Sequence, residues 1–151
     1  MNESFVEILI IIPSALYTGY LLFIAGVIQN VMNQMDQASF QNFLNLLDKT
    51  AMKSPYAIIV GSLTYLGMFP YFIIYGFGNW WFTAGILVFI IASIISKSLN
   101  LPIYKRVHSL ANSNLALLSV ERKKLQSANR IRALIQSVSI SLMTIGLIKG
   151  L

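Results

Sequence analysis

Cysteine is absent from this 151-residue chain, which removes disulfide frameworks, thiolate nucleophiles and cysteine-bound metals. Histidine occurs once, at His108, with no His, Cys or acid around it at metal-ligand spacing. A lone histidine of this kind reads as a surface residue, and a redox-metal enzyme is not expected. Charge is scarce too. Only 11% of residues are charged, against roughly a quarter in ordinary soluble domains. The five acids fall, on the sequence pattern, at helix ends or in loops, so no paired carboxylates are expected inside an apolar run. G-x-S-x-G, G-x-x-x-x-G-K-[ST] and H-E-x-x-H are all missing, which leaves no standard catalytic set and no cofactor fingerprint.

What the chain has is apolar length. Hydrophobic residues make up 56% of it and its mean hydropathy is +0.70. Four apolar runs stand out: Ile8 to Ile28, Tyr56 to Tyr75, Trp80 to Ile95 and Ala133 to Ile148. The first two are long enough for a bilayer crossing, which takes about 20 residues. The first run follows Glu3 and Glu7 with no Lys or Arg, the reverse of a secretory leader's basic start. It is therefore read as a retained helix. A net charge of +6 raises nucleic acid as a partner, but the cations flank apolar runs instead of forming a separate basic face. Nucleic-acid binding is not expected.

Those cations set the topology. Lys97, Lys105, Arg106, Arg122, Lys123, Lys124, Arg130 and Arg132 sit in one block between the third and fourth runs, with Glu121 as the single acid. Cationic loops stay on the cytoplasmic side during insertion. If the 97–132 segment is cytoplasmic, the Asp36–Lys53 loop with Lys49 and Lys53 is too. Both termini, the Gly76-Phe77-Gly78-Asn79 turn and Lys149 then lie outside. The fold expected is all-α: a four-transmembrane antiparallel bundle in the cell membrane, one domain over 1–151. Its helices are expected near 5–34, 55–75, 79–98 and 115–149, with an amphipathic connector and a basic helical extension on the cytoplasmic side. Phe40, Phe43, Leu44 and Leu47 carry the helical apolar spacing of that connector, and Met52 continues its apolar set. The connector either caps the bundle, lies on the membrane or simply links two spans, the last being favoured. Pro70 is expected to bend or end the second helix, Asn100-Leu101-Pro102 to break the third, and Asn112-Ser113-Asn114 to make a further break.

The fourth run is the unusual one. Its 16 residues reach about 24 Å at the helical rise, short of a hydrocarbon core of roughly 30 Å. Asn129, Arg132, Gln136 and Ser139 also recur along one helical face, with Arg122 and Leu125 continuing it. In lipid each unpaired polar group costs several kcal/mol, so this face is expected to turn inward. Partners for Arg132 are expected among Asn100, Gln29, Asn30, Asn33 and Asp36. Ala15, Gly19 and Gly26 offer helix one a small-residue stripe for close packing, and Gly146-x-x-x-Gly150 is a weaker match of the same type. Two roles suit the polar face: hydrogen-bonded glue between helices, or a pocket at the inner end of the bundle, formed by Asn100, Asn129, Arg132 and Gln136. Such a pocket suits a lipid or a flat aromatic molecule with an anionic or oxygen-rich end.

The stretch Asn100-Leu101-Pro102-Ile103-Tyr104-Lys105-Arg106, followed by Leu125-x-x-x-Asn129-x-x-Arg132, resembles the anthrone-oxygenase-like family of small four-helix membrane proteins, most of unknown function. The resemblance spans nearly the whole chain. It implies that Asn100, Pro102, Asn129 and Arg132 are signature positions. Some members oxygenate aromatic anthrones without a recognised cofactor, which implies that Arg132 and the asparagines would stabilise an enolate-like anion. The missing catalytic sets favour a different expectation, a non-catalytic membrane or accessory subunit working with other membrane subunits or with itself. The alternative expectation is an apolar-ligand-binding or oxygenase-like protein.

Overall fold

The computed structural model describes residues 2–51, 53–110 and 114–150; Met52, Asn112 and Ser113 lie outside them. Every regular element among the described residues is helical. In order these are α1 (Glu3–Phe23), a π turn (Ile24–Ile28), α2 (Gln29–Gln34), α3 (Gln37–Ala51), α4 (Pro55–Tyr75), α5 (Trp80–Ser109) and α6 (Leu115–Gly150). α1, the π turn and α2 form one rod. That rod, α4, α5 and α6 are each long and apolar enough to cross a membrane. Backbone groups in hydrocarbon must be satisfied within the segment, which is why apolar runs of this length settle as helices. The chain is a multi-pass membrane protein built as a helical bundle. One end of the bundle is basic, carrying the α3 region and the 97–132 segment. The other is acidic, carrying Glu3 and Glu7.

Proline does less than its sequence position suggests. α4 passes through Pro70 to Tyr75, so Pro70 does not end it early. α5 runs through Asn100-Leu101-Pro102 without the expected break and ends only at Ser109, not near 98. A proline removes one helical donor; around Pro70 the hydrocarbon offers the backbone no competing water, and around Pro102 the buried Asn100, Ile103 and Val107 hold α5 in place. Gly76, at φ 65, ends α4 in the left-handed conformation that glycine adopts freely. Asn79 then caps α5, its Oδ1 accepting from the Phe82 amide at 3.3 Å.

α6 is the axis of the packing. Its buried positions recur every three to four residues from Leu118 through Leu125, Asn129, Arg132, Gln136, Ser139 and Met143 to Gly146, the inward stripe of a bundle helix. α5 lies antiparallel along it. The contact is close because Gly85 sits against Ser139 and Met143, and Gly146 against the Phe82 backbone. The Ser139 hydroxyl donates to the Gly85 carbonyl at 2.7 Å across that seam. α1 packs against both α4 and α6. Near the acidic end Val6, Ile10, Met68, Tyr71, Phe82, Ile86, Phe89 and Met143 make one apolar core.

The expected stripe on helix one is not a packing surface. Ala15, Gly19 and Gly26 are exposed, and a Cβ added at Gly19 or Gly26 meets nothing within 4 Å. The buried face of α1 is instead the one bearing Ser14, Thr18 and Leu21. Gly19→Ala should therefore raise stability, by about 0.5–1 kcal/mol from backbone propensity alone. A denaturation midpoint measured in detergent micelles would show it, and a clear loss would mean that α1 packs by another face.

A second core lies beyond the first, toward the basic end. Met32, Phe40, Leu44, Ile103, Val107, Leu118, Leu125 and Ala128 meet there. The amphipathic α3 thus docks as a cap on the extended ends of α5 and α6. It is neither a loose linker nor a raft on the lipid. The Gln41 amide donates to the carbonyls of Val107 and Leu110, both at 2.7 Å, which satisfies the end of α5. Arg122 donates to the Met35 and Asp36 carbonyls at 2.8 and 3.0 Å, and its guanidinium lies 4.5 Å from the Phe40 ring centre. Asp36 caps α3, and the amide and hydroxyl of Ser39 hold its carboxyl below the usual carboxylate range. That capping contribution is present above the ordinary carboxylate pKa and fades as pH falls through the lowered value. His108, half-exposed on the last turn of α5, lies 3.8 Å from Asp48 of α3.

Candidate functional site

The polar face of α6 turns inward as its spacing predicts: Asn129, Arg132, Gln136 and Ser139 are all buried. Their partners differ from those expected. The Asn129 amide donates to Gln29 Oε1 at 2.8 Å, and Gln29 Nε2 donates on to Asn33 Oδ1 at 3.0 Å. Asn30 bonds back to the Gly26 carbonyl, and Asp36 is engaged by Ser39. None of the anticipated partners reaches Arg132, whose Nε has no hydrogen-bond partner among the described residues although Arg132 is only 8% exposed. The reason is local. The π turn at Ile24–Ile28 swings Gln29 inward at the level of Asn129, while the guanidinium of Arg132, one turn further along α6, opens on a cavity.

That cavity has a volume of about 690 Å³ and lies toward the basic end. α1 contributes Tyr17, Tyr20 and Leu21, and the π turn Ile24; α4 contributes Gly61 and Tyr65; and α5 contributes Phe89, Ser93 and Lys97. Leu44, Leu47 and Asp48 of α3 close it from beyond, and Leu125, Asn129 and Arg132 of α6 form the back wall. Aromatic rings from three helices meet in the wall. Tyr17 and Tyr65 both pack on Phe89, with ring centres 5.8 and 5.9 Å apart. Tyr104, a further lining residue, and Tyr17 lie within electrostatic reach of the Arg132 guanidinium.

Two of the four anticipated site residues meet here, and two do not. Asn129 and Arg132 line the cavity, whereas Asn100 and Gln136 do not. Both are buried, and among the described residues neither side-chain amide has a partner for its oxygen or its nitrogen. The antiparallel register set by Gly85 and Gly146 puts Asn100 level with Asn129, and Gln136 level with Ala92. They belong to the α5–α6 seam. The adjacent hydroxyls of Ser137, Ser141 and Thr144 bond to carbonyls four residues back, at 2.9 to 3.0 Å, and add nothing to the cavity.

Chemically the cavity offers one buried cation, one unpartnered acceptor and several phenols. One N–H of Asn129 Nδ2 donates to Gln29, and Asn129 also presents Oδ1, which has no partner among the described residues. Lys97, Arg132 and Asp48 leave one net positive charge in the lining. A group carrying a negative oxygen beside a hydroxyl would satisfy both Arg132 and Asn129.

A second polar cluster escaped sequence reasoning. Glu7 is not at a helix end but in the second turn of α1, and it is only 1% exposed. Its Oε1 accepts from Asn79 Nδ2 at 2.8 Å and from the Tyr71 hydroxyl at 3.1 Å, and that hydroxyl also lies 3.0 Å from Glu3 Oε1. Asn79 donates as well to the Gly146 carbonyl at 3.0 Å. Four helices are thus tied at the acidic end. The available signal was the spacing of Glu7 with Ile10, Ser14 and Thr18, which places it on the inward face of α1.

A four-span helical membrane protein with a polar-backed, aromatic-walled cavity near one end is the class that fold and site define. No family model, no curated protein and no solved structure matches the chain.

Proposed function

We propose that this protein binds a small amphipathic molecule within the bilayer, holding a flat apolar body among Tyr17, Tyr65 and Phe89 and its oxygen-bearing end at Arg132 and Asn129. The observation that carries this reading is the buried Arg132 Nε and Asn129 Oδ1, both unpartnered, on the wall of a cavity of about 690 Å³. A buried cation without a counter-charge is costly, by several kcal/mol. An anionic group entering from the cavity would remove that cost. Ligand pockets commonly have this make-up, mostly apolar with few convergent polar groups, and volumes of roughly 300–1,000 Å³.

The oxygenase chemistry implied by the family resemblance would ask Asn100 and Asn129 for donors to an enolate. Asn129 has one of its two N–H donors on Gln29, and Asn100 lies off the cavity, so binding is better supported than turnover. The reading as a non-catalytic accessory subunit stands or falls on the same measurement. Protein purified in mild detergent should release a low-molecular-weight, ring-bearing or lipid-like acid near one per chain on solvent extraction and mass spectrometry. Arg132→Gln should weaken its retention about 10–100-fold, the worth of one charge-assisted hydrogen bond, without lowering the melting temperature of ligand-free protein. Ser137→Ala should change neither. If Arg132→Gln destabilises the empty protein and no molecule is ever recovered, Arg132 is packing glue and the binding reading fails.

We further propose that the basic end is cytoplasmic in the cell membrane, on the excess of Lys and Arg there. Phe77→Cys should be labelled by an impermeant maleimide on intact cells and Ser109→Cys should not. The reverse pattern would invert the topology.

A further inference from the structure

A groove on the lipid side of α5 and α6, separate from the cavity and from the polar face, runs through Leu99, Pro102, Arg106, Lys123, Ser127 and Ile131, with a volume of about 510 Å³. We propose that it holds one anionic phospholipid of the leaflet at the basic end. The two helices are antiparallel, so the lining residues stack in matched levels. Arg106 stands opposite Lys123 and Lys124, Pro102 opposite Ser127, and Ser98 and Leu99 opposite Ile131. Polarity therefore falls along the groove from cations through a hydroxyl to aliphatic surface. A phospholipid in the same leaflet has the same order along the membrane normal: phosphate, glycerol backbone, acyl chains.

The charges fit that occupant. Arg106 and Lys124 share the carboxylate of Glu121, at 2.9 and 2.7 Å, and Lys123 makes no ion pair among the described residues. Three cations against one acid leave two net positive charges at the headgroup level, and Glu121 fixes two of the cations in place. Pro102 adds a backbone contribution. Lacking an N–H, it gives the Ser98 carbonyl no helical donor, so the mid-groove gains an acceptor suited to a headgroup or glycerol hydroxyl. Leu99, Leu101 and Ile131 remain exposed alongside, a surface on which an acyl chain lies without cost.

The test is native mass spectrometry of the full chain released from nanodiscs made of equal parts phosphatidylglycerol and phosphatidylcholine. The expected result is one retained phosphatidylglycerol per chain, favoured at least tenfold over phosphatidylcholine. Lys123→Gln should cut that preference several-fold, and Lys123→Gln with Ser127→Leu should abolish it. Lys49→Gln with Lys53→Gln, which removes two charges from this end, one more than Lys123→Gln, but away from the groove, should leave it intact. Millimolar inorganic phosphate should not displace the lipid. Equal retention of the two lipids would overturn the proposal. So would an equal loss in the Lys49/Lys53 control, which would mean diffuse surface charge, and displacement by phosphate, which would mean a soluble-anion site.

Discussion

Gly146→Ala is expected to destabilise the bundle by about 3 kcal/mol, the upper part of the range for an overpacked core. The added methyl would lie 2.5 Å from the Phe82 backbone nitrogen and 2.8 Å from its Cα. Backbone atoms inside a helix cannot rotate aside, so α5 and α6 would have to separate along their seam. Gly85→Ala should follow closely, with Met143 N at 2.7 Å and Ser139 O at 2.9 Å, and the separation would stretch the Ser139 bond to Gly85. Gly67→Ala should cost less, because its nearest neighbour is the Ile10 side chain at 2.9 Å. The order Gly146, Gly85, Gly67, then Gly19, read by chemical denaturation in micelles, checks the interfaces one by one. If Gly146→Ala proved as mild as Gly19→Ala, the α5–α6 seam as described would be wrong.

Glu7→Ala is the second large effect, a loss of about 3 kcal/mol. Truncation removes the acceptor for Asn79 and for Tyr71 and leaves a void where α1, α4, α5 and α6 meet. Glu7→Gln is the informative partner. It keeps the shape and still offers a carbonyl oxygen to both donors, so it should cost less than about 1 kcal/mol. Tyr71→Phe should fall between them, since the ring still fills the core against Phe82 while the bonds to Glu3 and Glu7 disappear. Equal losses for Glu7→Gln and Glu7→Ala would show that the negative charge itself matters at this end, and not only the hydrogen bonds.

Much of the architecture was legible because it depends on averages. Long apolar runs have few options in lipid, and the spacing of Asn129, Arg132, Gln136 and Ser139 could satisfy an oil-avoidance rule only by facing inward. What was not legible depends on single contacts. Pro102 reads as a break in any soluble chain, yet α5 carries through it to Ser109. Gly19 and Gly146 look alike as letters, but one meets open space and the other a neighbouring backbone. Glu7 reads as a solvated charge at the start of a span, and only the juxtaposition of Tyr71 and Asn79, more than sixty residues away, makes a buried position tolerable. The cavity was half legible. Its back wall came from periodicity in α6, whereas the tyrosines on three other helices converge only once the packing is known.

The π turn at Ile24–Ile28 puts the two halves of the first rod out of phase. Above it Ser14, Thr18 and Leu21 keep time with the bundle; below it Gln29 and Met32 do so only because the wider turn holds one residue more than an α-helix would. Deleting Ala25 would remove that extra residue and close the turn to plain α-helix, leaving Gln29 still against Asn129. A purely α-helical rod of the same length would instead set Gln29 about 100° away, so the width of this turn, and not the residues in it, keeps Gln29 on Asn129.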